Sequence, residues 1–353
     1  MKMRFVHETL SQRVHFAAGA AADAVAEEVD RLGSRRVMLI AAPSAAELAR
    51  AVTARVPVTL VHDEVAMHVP VPVAERARAA ASEHSVDVVI SVGGGSATGL
   101  AKAIALTSGL PVIAVPTTYA GSEATDVWGL TDDAHKITGS DPRVLPRAVV
   151  YDASLTLTLP VDLSVASGLN GLAHCVDALW APRADPINAA LATEGIRTLA
   201  QGLRLVVDEP TGLGGREQAL CGAYLAAVAF ASAGSGLHHK ICHVLGGRYN
   251  LPHAATHAIM LPHVVALNAP AAPRVAERIA EALGAATALG GLQELRVRLD
   301  APKALRDHGF REEQIGDAIE AILPVVPDSN PAKVTADNLG QLLQNAWEGA
   351  EAQ

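Results

Sequence analysis

Six of the chain's fourteen histidines fall between His238 and His263, where even spacing would put about one. His239 and His243 are four residues apart and share a face of any helix that carries them. His253 follows across a break containing Gly246, Gly247 and Pro252. Upstream, Asn170 and His174 repeat the four-residue spacing. Two chemistries suit such a set. In one, His174, His239 and His253 bind zinc or iron(II), with Asn170 as a weak fourth ligand. In the other no metal is needed, and the imidazoles, with Lys240 or Arg248 nearby, hold an anionic substrate and donate a proton. One histidine alone is more often a satisfied core or interface residue, so it is the grouping that argues for a site. His238, His257 and His263 are assigned to packing, because their spacing sets them off the shared face.

A second set of small residues suits a phosphate. The apolar run Val86–Val92 ends in Gly93-Gly94-Gly95-Ser96, and a helix is expected from Ala97 to Thr107. Glycines let backbone approach a ligand without Cβ clashes, Ser96 is placed to cap the helix, and the helix N-terminus favours an anion. This is not the spaced-glycine dinucleotide fingerprint, and alone it serves equally as a tight connection. The next apolar run ends in Pro116-Thr117-Thr118-Tyr119-Ala120-Gly121-Ser122-Glu123. Two adjacent polar loops on one sheet edge read as a nicotinamide-cofactor crevice. The residues assigned to it are Gly93, Gly94, Gly95, Ser96, Thr117, Thr118, Tyr119 and Ser122. After the first strand stands Ala41-Ala42-Pro43, with neither an acid for the ribose nor an Arg for a 2′-phosphate. The choice between NADH and NADPH stays open.

The elements that must carry these groups differ between the two halves. Short apolar runs at Val37–Ile40, Val58–Val61, Val86–Val92, Pro111–Val115 and Arg147–Tyr151 alternate with helical stretches such as Ala17–Leu32 and Val73–His84. That pattern predicts a parallel sheet covered on both faces. Beyond Pro160, Ala/Leu-rich segments broken at Pro182, Pro186, Pro210, Pro252, Pro270, Pro302 and Pro327 predict an all-helical domain. The expected fold is an α/β dinucleotide-binding domain, 1–155, and an all-α substrate domain, 156–353. A chain of 353 residues at roughly 150 per domain agrees.

Composition narrows the partners. A net charge of −9 without a basic stripe argues against nucleic acid, and it requires local attraction for any anionic substrate. Cys175, Cys221 and Cys242 have neither metal spacing nor a disulfide framework and read as thiols in a reducing, cytoplasmic compartment. The uncharged stretch Ala219–Leu237 runs into His238-His239-Lys240 and reads as a buried core helix rather than a membrane span.

Taken together, GGGS followed by Lys102, the PTT loop, and HHKICHVLGGRYNLPHAATHAIMLPHV (238–264) resemble the iron-containing alcohol dehydrogenase superfamily. Within it the likeness is to the maleylacetate reductases, carried by AMHVPVPV (66–73), PTTYAGSEATDVWGLTD (116–132), HKITGSDPRVLPRAVVYD (135–152), SGLNGLAHCVDALWAP (167–182) and NPAKVT (330–335). The resemblance implies a Rossmann-like first domain, a helical second domain, a cleft between them and a homodimer. It implies reduction of maleylacetate, or a substituted form, to 3-oxoadipate with NADH or NADPH in aromatic-compound breakdown. It adds Lys136 and Leu155 to the cofactor set. Metal-dependent relatives use an Asp and three His, and those positions are Asn170, His174, His239 and His253 here. Loss of the anionic ligand implies a metal-free, positively biased pocket for a dicarboxylate. His243 is the first choice of proton donor, with His239, His253, His174, Asn170 and Lys240 completing the catalytic set. The rival readings are a zinc- or iron-dependent alcohol or aldehyde dehydrogenase, a related metal-dependent lyase and a non-catalytic binding protein.

Overall fold

A strand buried at every position needs cover on both faces, and the first half of the chain has three such strands, with a fourth that is half-buried only at its last residue. The computed structural model describes residues 4–132 and 135–353, with the backbone alone at His135 and Lys136. The chain divides into two compact units, Leu10–Leu159 and Met1–Thr9 with Pro160–Gln353.

In the first unit the elements are β1 (Arg13–Phe16), α1 (Ala21–Leu32), β2 (Val37–Ile40), α2 (Ala46–Val52), β3 (Val58–His62), α3 (Val71–Glu83), β4 (Val88–Gly93), α4 (Gly95–Ser108), β5 (Val112–Pro116), β6 (Val127–Asp132), β7 (His135–Ser140) and β8 (Ala148–Tyr151). Six strands form a parallel sheet in the order β1-β8-β5-β4-β2-β3, and β6 and β7 form a separate antiparallel pair. Side chains alternate between the two faces. Met38, Ile40 and Val89 pack with Ala74, Ala77, Leu100 and Ile104 of α3 and α4. Val37, Leu39, Val88 and Ile90 pack with Val25, Val29 and Val52 of α1 and α2. The five expected strands all lie in the sheet, and β1 is an unexpected sixth at its edge.

The strand order reverses at β2. β3 lies on one side of it and β4 on the other. The loops after β2 and β4 therefore diverge, and a crevice for ligands opens where they do.

The second unit is helical: α5 (Val161–Ala178), α6 (Pro186–Asp208), α7 (Leu213–Ala233), α8 (Leu237–Tyr249), α9 (His253–Asn268), α10 (Pro273–Leu283), α11 (Ala288–Arg298), α12 (Ile315–Ile322) and α13 (Ala336–Glu348). Glycines let α6 and α7 pack backbone to backbone. A Cβ on Gly202 would sit 2.7 Å from the Ala219 nitrogen, and one on Gly222 2.9 Å from that of Leu199. The uncharged stretch is split between α7 and α8, with a bend of 100° at 234–236. No single described helix is long and apolar enough to cross a membrane.

Candidate active site

The histidine cluster is assembled by three helices of the second unit. α5 supplies Asn170 and His174, α8 supplies His239 and His243, and α9 begins with His253. The rings of His174 and His239 stack at 4.7 Å between centroids. His243 lies 6.1 Å from His239 and 6.5 Å from His253. The buried floor is Asn170, His174 and His239, while His243 and His253 are half-buried at the rim. Phe230 of α7, not anticipated from sequence, covers His174 and His239 at 4.8 and 4.4 Å.

His257 corrects the sequence reading. It lies one helical turn beyond His253, and its ring is 4.4 Å from that of His253 and 4.8 Å from that of His239. The four-residue spacing that singled out the other pairs was present here too. His238 hydrogen-bonds it, Nε2 to Nδ1, at 2.9 Å.

The orienting group was also missed. Asp177 lies one turn beyond His174 and is fully buried. Its Oδ2 accepts from the backbone N–H of Gly236 and His239 and from His239 Nδ1, the last at 2.7 Å. That bond places the His239 proton on Nδ1 and leaves Nε2 as a lone pair. Nε2 is buried without a partner, as are Asn170 Oδ1, His174 Nδ1 and His257 Nε2. Buried polar atoms are nearly always paired, so four orphans in one cluster indicate a ligand's place.

Burial, not charge, sets the electrostatics. It pushes His174 down to about 4 and His238 to about 3, and holds His239 and His257 well below the ordinary imidazole range. These four are neutral near pH 7, so a positive bias of the pocket would come from the absence of a carboxylate at Asn170 and not from these imidazoles. Arg248, the other candidate for a substrate carboxylate, pairs through Nε and Nη2 with Asp317 in a half-exposed ion pair. Lys240 is half-buried on α8, and among the described residues no hydrogen bond or ion pair joins it to the cluster.

In the first unit, β4 and α4 form the expected strand–glycine–helix turn. Gly93 has φ +148°, a conformation that side chains disfavour. A Cβ on Gly94 would lie 3.0 Å from Thr118 Cγ2, so glycine lets the two loops meet. The Thr117 N–H donates to the Gly93 carbonyl at 3.0 Å. The helix begins at Gly95 with Gly94 as N-cap and no side-chain cap, so Ser96 lies within the first turn and does not cap it. Gly93, Gly94, Ser96, Thr117, Thr118, Ser122 and Leu155 are half-buried, and Gly95 is exposed. Tyr119 is wholly buried and offers a ligand no open surface. The side chain of Lys136 is outside the described residues. Lys102 braces the site from below. Its Nζ donates to the Thr125 and Val127 carbonyls at 2.8 Å and to Thr125 Oγ1 at 3.0 Å.

Known proteins share both units. The profile described as iron-containing alcohol dehydrogenase matches residues 11–153, and that of the Fe-containing alcohol dehydrogenase family, C-terminal, matches 164–347. The chain belongs to the iron-containing alcohol dehydrogenase family. A maleylacetate reductase from Sphingobium indicum is 43% identical over 350 residues, 98% of each chain. Among solved structures, an iron-containing alcohol dehydrogenase from Corynebacterium glutamicum is 56% identical, with TM-score 0.96 and 98% of each chain covered. A maleylacetate reductase from Rhizobium sp. is 41% identical, with TM-score 0.93, covering 99% of this chain and 100% of that one.

The family name implies a metal, which the donors here do not fit. Asn170 is a neutral, weak ligand for a divalent cation, so the three imidazoles would have to hold it alone. Among the described residues, the ligand atoms of His174, His239 and His253 do not converge within 4.8 Å of one another. Those of His238, Cys242 and His257 do. There, however, the facing nitrogens are hydrogen-bonded at 2.9 Å, closer than the roughly 3.3 Å of two nitrogens on one tetrahedral zinc.

Proposed function

We propose that this member of the family reduces maleylacetate, or a substituted form of it, to 3-oxoadipate. The observation that carries the reading is likeness along the whole chain, at 40–43% identity, to relatives named maleylacetate reductase. The buried cluster supports it, with neutral donors and acceptors left unpartnered and no anionic metal ligand.

NADH or NADPH supplies the hydride when bound. Gly93, Gly94, Gly95 and Ser96 hold its pyrophosphate at the α4 N-terminus. Thr117, Thr118, Ser122, Lys136 and Leu155 complete that site, and Tyr119 backs it from the core. Hydride adds to the carbon β to the ketone, and the electron pair moves onto the ketone oxygen as an enolate. His239, His174, His253 and Asn170 orient the substrate around this carbon–oxygen unit, with Lys240 set for a carboxylate. His243, at the half-buried rim, delivers a proton to the α carbon and recovers one from solvent. One hydride and one proton convert the alkene to the saturated product, and no step requires a metal. We read the protein as a cytoplasmic homodimer acting on a small dicarboxylate.

The deciding experiment compares NADH and NADPH oxidation with maleylacetate and with simple aldehydes, with and without chelator. Maleylacetate-dependent oxidation that survives chelation is expected. A specific observation favours one rival: the 56% identical relative is named an iron-containing alcohol dehydrogenase. Aldehyde reduction lost on chelation and restored by zinc or iron would assign that chemistry instead.

A further inference from the structure

We propose that His257 is a catalytic residue, donating an Nε2–H hydrogen bond to the substrate's ketone oxygen as the enolate forms, and that His238 is the positioning residue that sets this tautomer. The inference rests on the maleylacetate reading.

The two rings share one proton problem. His238 Nε2 and His257 Nδ1 face each other at 2.9 Å. Both side chains are fully buried. A neutral imidazole carries one N–H, so one facing nitrogen donates and the other accepts. If His257 Nδ1 donates, the His238 proton sits on Nδ1, which has no partner. That N–H would be buried without an acceptor on the ring that adjoins fewer of the cluster's histidines. If His238 Nε2 donates, the His257 proton sits on Nε2, an orphan atom of the ring that adjoins those of His174, His239 and His253. This second arrangement puts the buried donor on the ring central to the cluster, where a substrate oxygen would satisfy it.

The neighbours favour the same choice. Asp177 locks His239 with its Nε2 lone pair exposed to the cluster, and that ring lies 4.8 Å from His257. A second lone pair on His257 would add another acceptor to a cluster in which the Asp177 carboxylate already fixes His239 as one. An N–H there supplies a donor instead. Cys242 Sγ lies 3.6 Å from His238 Nε2, but a thiol is a weak partner as donor or acceptor and does not decide the tautomer.

The chemistry follows from geometry. Beside the acceptors His239 Nε2 and Asn170 Oδ1 the cluster holds the Asn170 amide N–H, and an enolate oxygen gains from a second donor. A preorganised neutral N–H in a dry site stabilises the developing charge without giving up its proton. The proton that completes the product goes to carbon from another group, so His257 Nε2 stays protonated through the cycle.

Nitrogen-15 NMR of histidine-labelled full-length protein reads the tautomer directly. The His257 resonance should show Nε2 protonated, and His238→Phe should abolish that preference. A wild-type proton on His257 Nδ1 would overturn the proposal, whether or not any variant folds. Kinetically, His257→Leu should lower kcat for maleylacetate about 100-fold with NADH Kd unchanged. His257→Gln, which keeps an N–H at a similar reach, should recover part of it. A wild-type chain that reduces maleylacetate no faster than His257→Leu does removes the role alone. A wild-type chain that does not reduce maleylacetate removes the functional reading and this role with it.

Discussion

Asp177 does two jobs with one carboxylate. It receives the backbone N–H of Gly236 and His239 at the start of α8, where a helix favours negative charge. It also fixes the tautomer of His239. A Cβ on Gly236 would lie 2.5 Å from Asp177 Oδ1, so glycine is what lets the carboxylate reach the helix end. Orienting carboxylates of this kind are worth roughly 10–100-fold in activity when lost. Asp177→Asn puts an amide N–H against one of these donors and releases the His239 tautomer. Turnover should fall by about that factor while NADH Kd holds, as fluorescence titration would show; unchanged turnover would reduce Asp177 to a helix cap. His243 is open to a separate test. If it delivers the proton, His243→Ala should lower kcat about 100-fold or more with cofactor affinity preserved, in line with loss of a general acid. Equal turnover in stopped-flow and steady-state assays would take it out of the mechanism.

At the scale of elements, the glycine turn after β4 is where sequence and geometry meet most closely. Gly94 permits the Thr118 loop to close on the turn, and Gly93 supplies a positive φ. Gly94→Ala should push Thr118 away and weaken NADH binding about tenfold, a loss of ~1.4 kcal/mol. Turnover at saturating NADH should change little; if calorimetry shows unaltered NADH affinity, the turn is only a connection. What was legible in the sequence here was local. Apolar runs such as Val37–Ile40 announced buried parallel strands, and i, i+4 spacing announced the faces of α5 and α8. β1 was not legible, because Arg13 and His15 make an edge strand look polar, and their partner Glu28 is known only once α1 packs beside it. Asp177 meets His239 across 62 residues and Arg248 meets Asp317 across 69, distances over which no spacing rule reaches. His257 was legible but overlooked. It shares a helix face with His253, which had been placed after a break rather than at the head of α9.

For the whole molecule, the buried histidines set an acid limit on stability. His174, His238 and His263 are pushed by burial down to about 4, 3 and 4, and His239 and His257 lie well below their ordinary value. Unfolding returns each to about 6.5, so below that pH the unfolded chain binds protons that the folded chain refuses. These histidines therefore cost no stability above pH 6.5, and their penalty grows as pH drops from there toward 4. Asp177 acts in the opposite sense. Burial raises its carboxyl to about 6, so the folded form holds a proton that the unfolded form releases until about pH 4. Five histidines against one carboxyl leave a net uptake of about four protons on unfolding near pH 5, each worth about 1.4 kcal/mol per pH unit. All six groups belong to the helical unit, which also holds Trp180 and Trp347. Its unfolding by urea, followed by tryptophan fluorescence and circular dichroism, should keep its midpoint from pH 8 to 7 and lose it steeply between 6.5 and 5. Replacing His238 and His257 together by apolar residues should flatten that slope by about two protons while lowering turnover about as far as His257→Leu does. A midpoint that stays level down to pH 5 would mean that these imidazoles titrate in the folded protein as they do in water. The cluster would then be charged and hydrated, and its four unpartnered atoms would need no substrate to account for them.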